Sequence, residues 1–236
     1  MEVYQKVKQF ECICAPPIAI LTRPNEYFVQ ENGHEVGHIK EHSNCSMQTC
    51  CLPLCRPFES TIVPRHGGQV FRVQRNFKCG NATGCCGAIP CPACPCWMAE
   101  ATVFNTHGHV VGTIKQPCFP NYVCRYELEI YKGLDTNQGS LFRKIKTCSL
   151  NGHTCCSVCL CGMCCNELDF EFVDGMGHHK GMFKKIHNGC MNECFTGADR
   201  YDITISDDEV DAALVLAALQ MLDMLYFENP WDCCAP

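Results

Sequence analysis

The chain has 236 residues, 25 of them cysteine, with 47% apolar residues and 19 basic against 25 acidic side chains, a formal net charge of −6. Enough apolar material for a sizeable core excludes disorder, and the acidic balance excludes a grip on nucleic acid through overall charge. No apolar signal segment follows Met1 to Lys6, so the N-terminal part is expected in the reducing cytosol, with the cysteines serving as thiols, lipid acceptors or metal ligands rather than disulfides. They come in bursts that include the adjacent pairs Cys50-Cys51, Cys85-Cys86, Cys155-Cys156, Cys164-Cys165 and Cys233-Cys234, and adjacent cysteines bridge to each other only with strain.

Residues 1–19 read as a lead-in. A strand-like run from Glu26 to Gln30 then leads to Gly33-His34-Glu35-Val36-Gly37-His38-Ile39, a glycine turn entering a second strand. A hairpin follows, Phe58 to Val63 against Gln69 to Gln74 across His66-Gly67-Gly68. The run Met98 to Phe104 leads to Gly108-His109-Val110-Val111-Gly112-Thr113-Ile114, which repeats the pattern G-H-x-V-G-x-I 75 residues after its first appearance. Tyr122 to Tyr131 and Ser140 to Ile145 make a fourth hairpin. Leu168 to Val173 opens a fifth, with Gly177-His178-His179-Lys180-Gly181-Met182-Phe183 as a looser copy of the motif. Tyr126 to Tyr131 and Leu168 to Phe172 alternate strictly between apolar and acidic or polar residues, as strands with one wet face do. Tyr201 to Ile205 adds another strand, and meandering hairpins with few helices predict a mainly β fold, a closed antiparallel barrel without exposed edges.

Ser206-Asp207-Asp208-Glu209 reads as a helix start. From Val210 to Phe227 only Asp211, Gln220 and Asp223 are polar. Eighteen helical residues span about 27 Å, so this segment reads either as a bilayer span or as a helix buried in the barrel. The three polar side chains weigh against lipid. Pro230 stops the helix in both readings.

Several segments, taken in order, resemble the phospholipid scramblase family. They are Cys50-Cys51 followed by Arg56-Pro57-Phe58; the run Cys85-Cys86-Gly87-Ala88-Ile89-Pro90-Cys91-Pro92-Ala93-Cys94-Pro95-Cys96; Gly112-Thr113-Ile114 with Pro117-Cys118-Phe119-Pro120; Cys161-Gly162-Met163-Cys164-Cys165 before Leu168-Asp169-Phe170-Glu171; and Phe195-Thr196-Gly197-Ala198-Asp199. The resemblance runs from about Ile20 to Glu228. It implies a tubby-like barrel of about twelve strands over 20–228 around a C-terminal helix at 208–228, with 229–236 as a tail. It further implies a protein on the cytoplasmic face of a membrane, with energy-independent transbilayer movement of phospholipids, linked in some members to calcium. Longer members carry a proline-rich N-terminal region; the partners of that region are not expected here.

The resemblance places a palmitoylation site at Cys85, Cys86, Cys91, Cys94 and Cys96, and two acyl chains anchor stably where one does not. The residues themselves leave zinc open: Cys91-x-x-Cys94, Cys156-x-x-Cys159 and Cys161-x-x-Cys164 have chelating spacing, with Cys50 and Cys51 as further thiolates. A soluble, zinc-stapled interaction module is therefore the competing reading. By resemblance, calcium falls to Asp199, Asp202, Asp207 and Asp208, although Gly197 replaces the usual leading acid and Arg200 puts a cation in the loop. Lys180, Lys184, Lys185 and His187 lie where the family has a nonclassical nuclear import signal, which implies a nuclear fraction; as residues they suit anionic lipid headgroups or a solvated strand face. No nucleophile with a paired base, phosphate loop or carboxylate dyad stands out, so an enzyme is not expected.

Overall fold

The computed structural model describes residues 2–5, 25–42, 57–65, 67–76, 99–117, 127–136, 140–147, 167–186, 200–205 and 209–226. These form strands β1 (Glu2–Gln5), β2 (Glu26–Glu31), β3 (His34–Glu41), β4 (Phe58–Pro64), β5 (Phe71–Arg75), β6 (Glu100–Phe104), β7 (Val110–Lys115), β8 (Glu127–Lys132), β9 (Leu141–Thr147), β10 (Glu167–Val173), β11 (His179–Ile186) and β12 (Arg200–Ile205), then helix α1 (Glu209–Tyr226). The fold is mainly β with one C-terminal helix. Every strand pairs antiparallel with its neighbours in sequence, and β1 pairs with both β2 and β12, so the order closes into a barrel. β1 lies inside the segment expected to be a lead-in. A four-residue strand, in which Val3 is buried, carries too short an alternation to announce itself, and its partners are remote in sequence.

The alternation within the strands sets what faces the axis. Tyr27 and Val29 on β2, Ile39 on β3, Phe58 and Ile62 on β4, and Phe71 and Val73 on β5 are buried, while Glu59, Arg72 and Gln74 between them are exposed. Phe170 and Phe183, cross-strand partners on β10 and β11, stack with centroids 4.2 Å apart and rings 7° from parallel, a packing that adds to the burial of both rings.

The repeated motif is a repeated backbone device. In β2–β3, β6–β7 and β10–β11 the pairing register slips by one residue near the turn, at Val29/Gln30, Val103/Phe104 and Phe172/Val173. The second glycine of each motif copy, Gly37, Gly112 or Gly181, sits opposite the residue before the slip. In the last two hairpins the turns are closed alike. Asn105 Oδ1 accepts from the His107 and His109 amides and Asp174 Oδ1 from the Met176 and His178 amides, at 2.9–3.0 Å. Gly108 and Gly177 take φ of 78° and 86° at the turns, a conformation that costs little only for glycine.

Helix α1 fills the barrel. From Ala213 to Leu225 every residue is buried, whichever way it points. Gly112 marks how close the wall comes: a Cβ there would lie 2.4 Å from Leu214 Cδ2 and 2.7 Å from the Tyr131 carbonyl oxygen. Among the described residues no helix is long and apolar enough to cross a membrane, and α1 is a core element. Of the two readings of Val210 to Phe227, the buried one holds.

Candidate functional site

Asp211, Gln220 and Asp223 of α1 meet the wall at different strands. Near the helix start Asp211 Oδ1 lies 2.7 Å from Lys132 Nζ at the end of β8. Toward its other end Gln220 Oε1 accepts from Ser60 Oγ on β4 at 2.6 Å. Asp223, fully buried, accepts from Tyr27 Oη on β2 at 2.5 Å and from Tyr201 Oη on β12. A buried carboxylate is costly unless its hydrogen bonds are supplied, and two tyrosine hydroxyls supply them. The sequence flags the helix residues by their polarity but not the partners, which look like ordinary strand residues.

The outer wall is charged. Lys144 on β9 lies 3.1 Å from Glu127 and from Glu129 on β8, Lys146 lies 3.1 Å from Glu171 on β10, and Tyr131 Oη donates to Glu129 at 2.7 Å. Burial works against the charge of Lys144, but the hydrogen bonds it donates to the Glu127 and Glu129 carboxylates, with their negative charge, outweigh it and hold the ammonium above its usual pKa. A barrel that crosses a bilayer by its strands turns an apolar belt outward; β8 to β10 turn ion pairs outward.

The expected basic patch is interleaved with acids. Lys180 is 3.6 Å from Asp174, and Lys184 sits opposite Asp169 on β10 and Asp202 on β12. The His178 backbone N–H, followed by the Met176 N–H and the His178 ring, holds the Asp174 carboxyl down at about 2. His187 lies outside the described residues. Of the calcium candidates only Asp202 is described, on β12 between Lys184 and Glu2 in the ladder; its Oδ1 has no hydrogen-bond partner among the described residues. Asp199, Asp207 and Asp208 lie outside them. Among the described residues no group of three metal-ligating side chains converges.

All 25 cysteines lie outside the described residues, including the lipid candidates Cys85, Cys86, Cys91, Cys94 and Cys96 and the zinc candidates Cys50, Cys51, Cys156, Cys159, Cys161 and Cys164. The strand ends that flank them are described, and these fix where each segment leaves the barrel. In an antiparallel meander the connections alternate between the two ends. Segments 6–25, 42–57, 76–99, 116–126, 148–166 and 187–199 all join strands at one end, where α1 also terminates at Tyr226. Every cysteine of the chain belongs to one of these segments or follows Tyr226. The opposite end carries the short turns.

A family model described as Scramblase matches residues 18–229. Phospholipid scramblase 1 of Homo sapiens is 25% identical over 213 residues, covering 87% of this chain and 57% of its own; the Mus musculus protein of the same name is 26% identical, covering 87% and 55%. Phospholipid scramblase family member 5 of Homo sapiens is 24% identical over 211 residues, with 87% and 67% covered. The chain thus spans a little over half the length of the first two. A solved structure of a protein from Arabidopsis thaliana overlaps 69% of this chain and 84% of its own at 12% identity and a TM-score of 0.29, too distant to argue from.

Proposed function

This chain belongs to the scramblase family, and from that membership we propose that it associates with phospholipid membranes and promotes movement of phospholipids between leaflets without an energy source. The observation that carries this reading is the family match over residues 18–229, with relatives named phospholipid scramblases aligned along 87% of the chain. The barrel interior is occupied by α1, so in this reading lipid does not pass through it, and exchange takes place in bilayer perturbed beside the protein. Cys85, Cys86, Cys91, Cys94 and Cys96 are the acceptors for palmitate that hold the protein at the cytoplasmic face, and Asp199, Asp202, Asp207 and Asp208 are the oxygen donors for calcium activation. The test is reconstitution into liposomes containing a leaflet-selective fluorescent lipid. Exchange faster than in protein-free vesicles supports the reading; exchange at the protein-free rate, with and without calcium, refutes it.

One observation favours a second use of the cysteines, Cys91 and Cys94 among them. Cys91-x-x-Cys94, Cys156-x-x-Cys159 and Cys161-x-x-Cys164 lie in two connections, 76–99 and 148–166, that leave the barrel at the same end. Two such pairs make a four-thiolate zinc site. Elemental analysis of purified protein separates the uses: stoichiometric zinc, with unfolding in chelator, supports a structural staple, and zinc-free protein that folds normally refutes it.

A further inference from the structure

We propose that His107 and His109, on the tight turn between β6 and β7, form a two-imidazole chelate for a late first-row divalent cation such as zinc. The turn lies at the barrel end opposite the one where the cysteine-bearing segments leave, so this site is separate from the four-thiolate site described above and does not rest on it.

Backbone geometry carries the first step. Asn105 Oδ1 accepts from the His107 amide at 3.0 Å and from the His109 amide at 2.9 Å. The His109 carbonyl accepts from the Asn105 N–H at 2.9 Å, and the Asn105 carbonyl from the Gly108 N–H at 3.0 Å. Gly108, at φ 78°, turns the chain between the two histidines. Both residues are exposed, so two imidazoles stand in solvent on one fixed turn. A second donor held beside the first binds as if at high local concentration, which is what makes a pair of ligands a chelate.

Ring geometry carries the second step. The two ring centroids lie 6.3 Å apart, with the planes 43° from parallel. A zinc–nitrogen bond of about 2.0–2.1 Å, plus ~1.2 Å from nitrogen to ring centre, sets the centres about 5.2 Å apart around a tetrahedral ion and at most about 6.4 Å apart around any shared ion. The observed separation falls inside that limit, and rotation of two exposed side chains supplies the remaining ~1 Å. Among the described residues neither ring is held by a hydrogen bond or an ion pair. No Lys or Arg occurs from Glu100 to Ile114 to repel a cation, and on the neighbouring strand Arg72 is engaged by the Phe104 ring and by Glu59.

The repeated motif supplies the contrast. At the positions of His107-Gly108-His109, the β10–β11 turn carries Met176-Gly177-His178 and the β2–β3 turn Asn32-Gly33-His34. The His178 ring is already taken, with Nδ1 3.2 Å from Asp174 Oδ2, and a thioether suits softer ions than zinc. The middle turn therefore holds the two-imidazole pair. Two protein donors leave two positions of a tetrahedral ion to water, as suits an exchangeable ion rather than a closed structural site.

The imidazole nitrogens report the binding. The full chain, kept reduced, is titrated with zinc chloride at pH 7.5, because the metal takes imidazole in its neutral form. Long-range proton–nitrogen NMR resolves each ring, so zinc taken up by thiolates does not register. His107 and His109 are expected to shift together along one binding curve, ahead of His34, His178 and His179. His107→Gln is expected to weaken binding at His109 by about tenfold or more, and His109→Gln to do the same at His107, since each leaves a lone imidazole. The site is overturned by unshifted His107 and His109 at about 0.1 mM free zinc, by the two rings following different curves, or by either variant leaving the other ring's curve unchanged. It is equally overturned if all the turn histidines respond alike.

Discussion

Replacing Asp223 with alanine tests whether the polar contacts fix the helix in the barrel. The carboxylate accepts from Tyr27 and Tyr201, whose side chains are 1% and 0% exposed. Its removal leaves two buried hydroxyls without this acceptor, at a cost of about 1–3 kcal/mol each. The sum, ~2–6 kcal/mol, is a large fraction of the 5–15 kcal/mol that stabilises a typical domain. For a chain of this size each kcal/mol lowers Tm by about 2–4 °C, so a shift on the order of 10 °C is expected. Urea denaturation followed by far-ultraviolet circular dichroism gives the free energy, and a double-mutant cycle identifies its source. Tyr27→Phe is expected to cost about 1–3 kcal/mol in the wild type, because it removes one donor from a buried carboxyl group, and to be neutral or stabilising once Asp223 is alanine, because the hydroxyl it deletes has already lost this acceptor. A loss below about 0.5 kcal/mol for Asp223→Ala, the range of an ordinary surface substitution, would refute the reasoning, as would Tyr27→Phe costing the same in both backgrounds.

Gly112→Ala forces a methyl group to within 2.4 Å of Leu214 and 2.7 Å of a backbone oxygen and is expected to cost about 1–3 kcal/mol; combining it with Leu214→Ala relieves only the side-chain clash, because the Tyr131 carbonyl stays. The Asp174 carboxyl should titrate by NMR at about 2 instead of 3.8. A depressed pKa stabilises the folded state above the unfolded value and is lost as pH falls from 3.8 through 2, so Asp174→Asn should flatten this acid limb while the turn persists, since Asn105 closes its own turn with an amide oxygen. Lys144→Met, leaving Glu127 and Glu129 without their shared cation, is expected to destabilise by no more than ~1 kcal/mol at neutral pH, because the ammonium is partly solvated. The raised Lys144 pKa places its stabilisation below the ordinary value of 10.5 and removes it as pH climbs above that, so stability profiles of the two proteins should converge at strongly alkaline pH.

Hairpins were legible because turn chemistry and alternation are local. Gly33, Gly108 and Gly177 announce their turns, and the copies of G-H-x-V-G-x-I correspond to equivalent register slips. β1 was not legible, since nothing near Val3 specifies pairing with Val29 and Tyr201. The helix was legible as a helix but not in its location, because apolarity on every face suits lipid and barrel core alike. What decides is the set of partners for Asp211, Gln220 and Asp223, and a sequence does not show partners 160 or 196 residues away. Lys180 and Lys184 read as a basic cluster only until the ladder sets Asp169 and Asp202 beside Lys184. The cysteine bursts were legible as chemistry, whereas their common end emerges only from strand order.

A helix that fills the barrel from the last part of the sequence also sets the timing of folding. The inward faces of β2 to β12 have nothing to close around until α1 has left the ribosome, and two of the contacts that seat it, to Ser60 and Tyr27, span 160 and 196 residues. Loops of that length close slowly, and folding rate falls as contacts become less local. At ~5–20 residues per second, the wall strands wait many seconds with their apolar faces uncovered, which makes the nascent chain a client for chaperones and a hazard for aggregation until its final helix arrives.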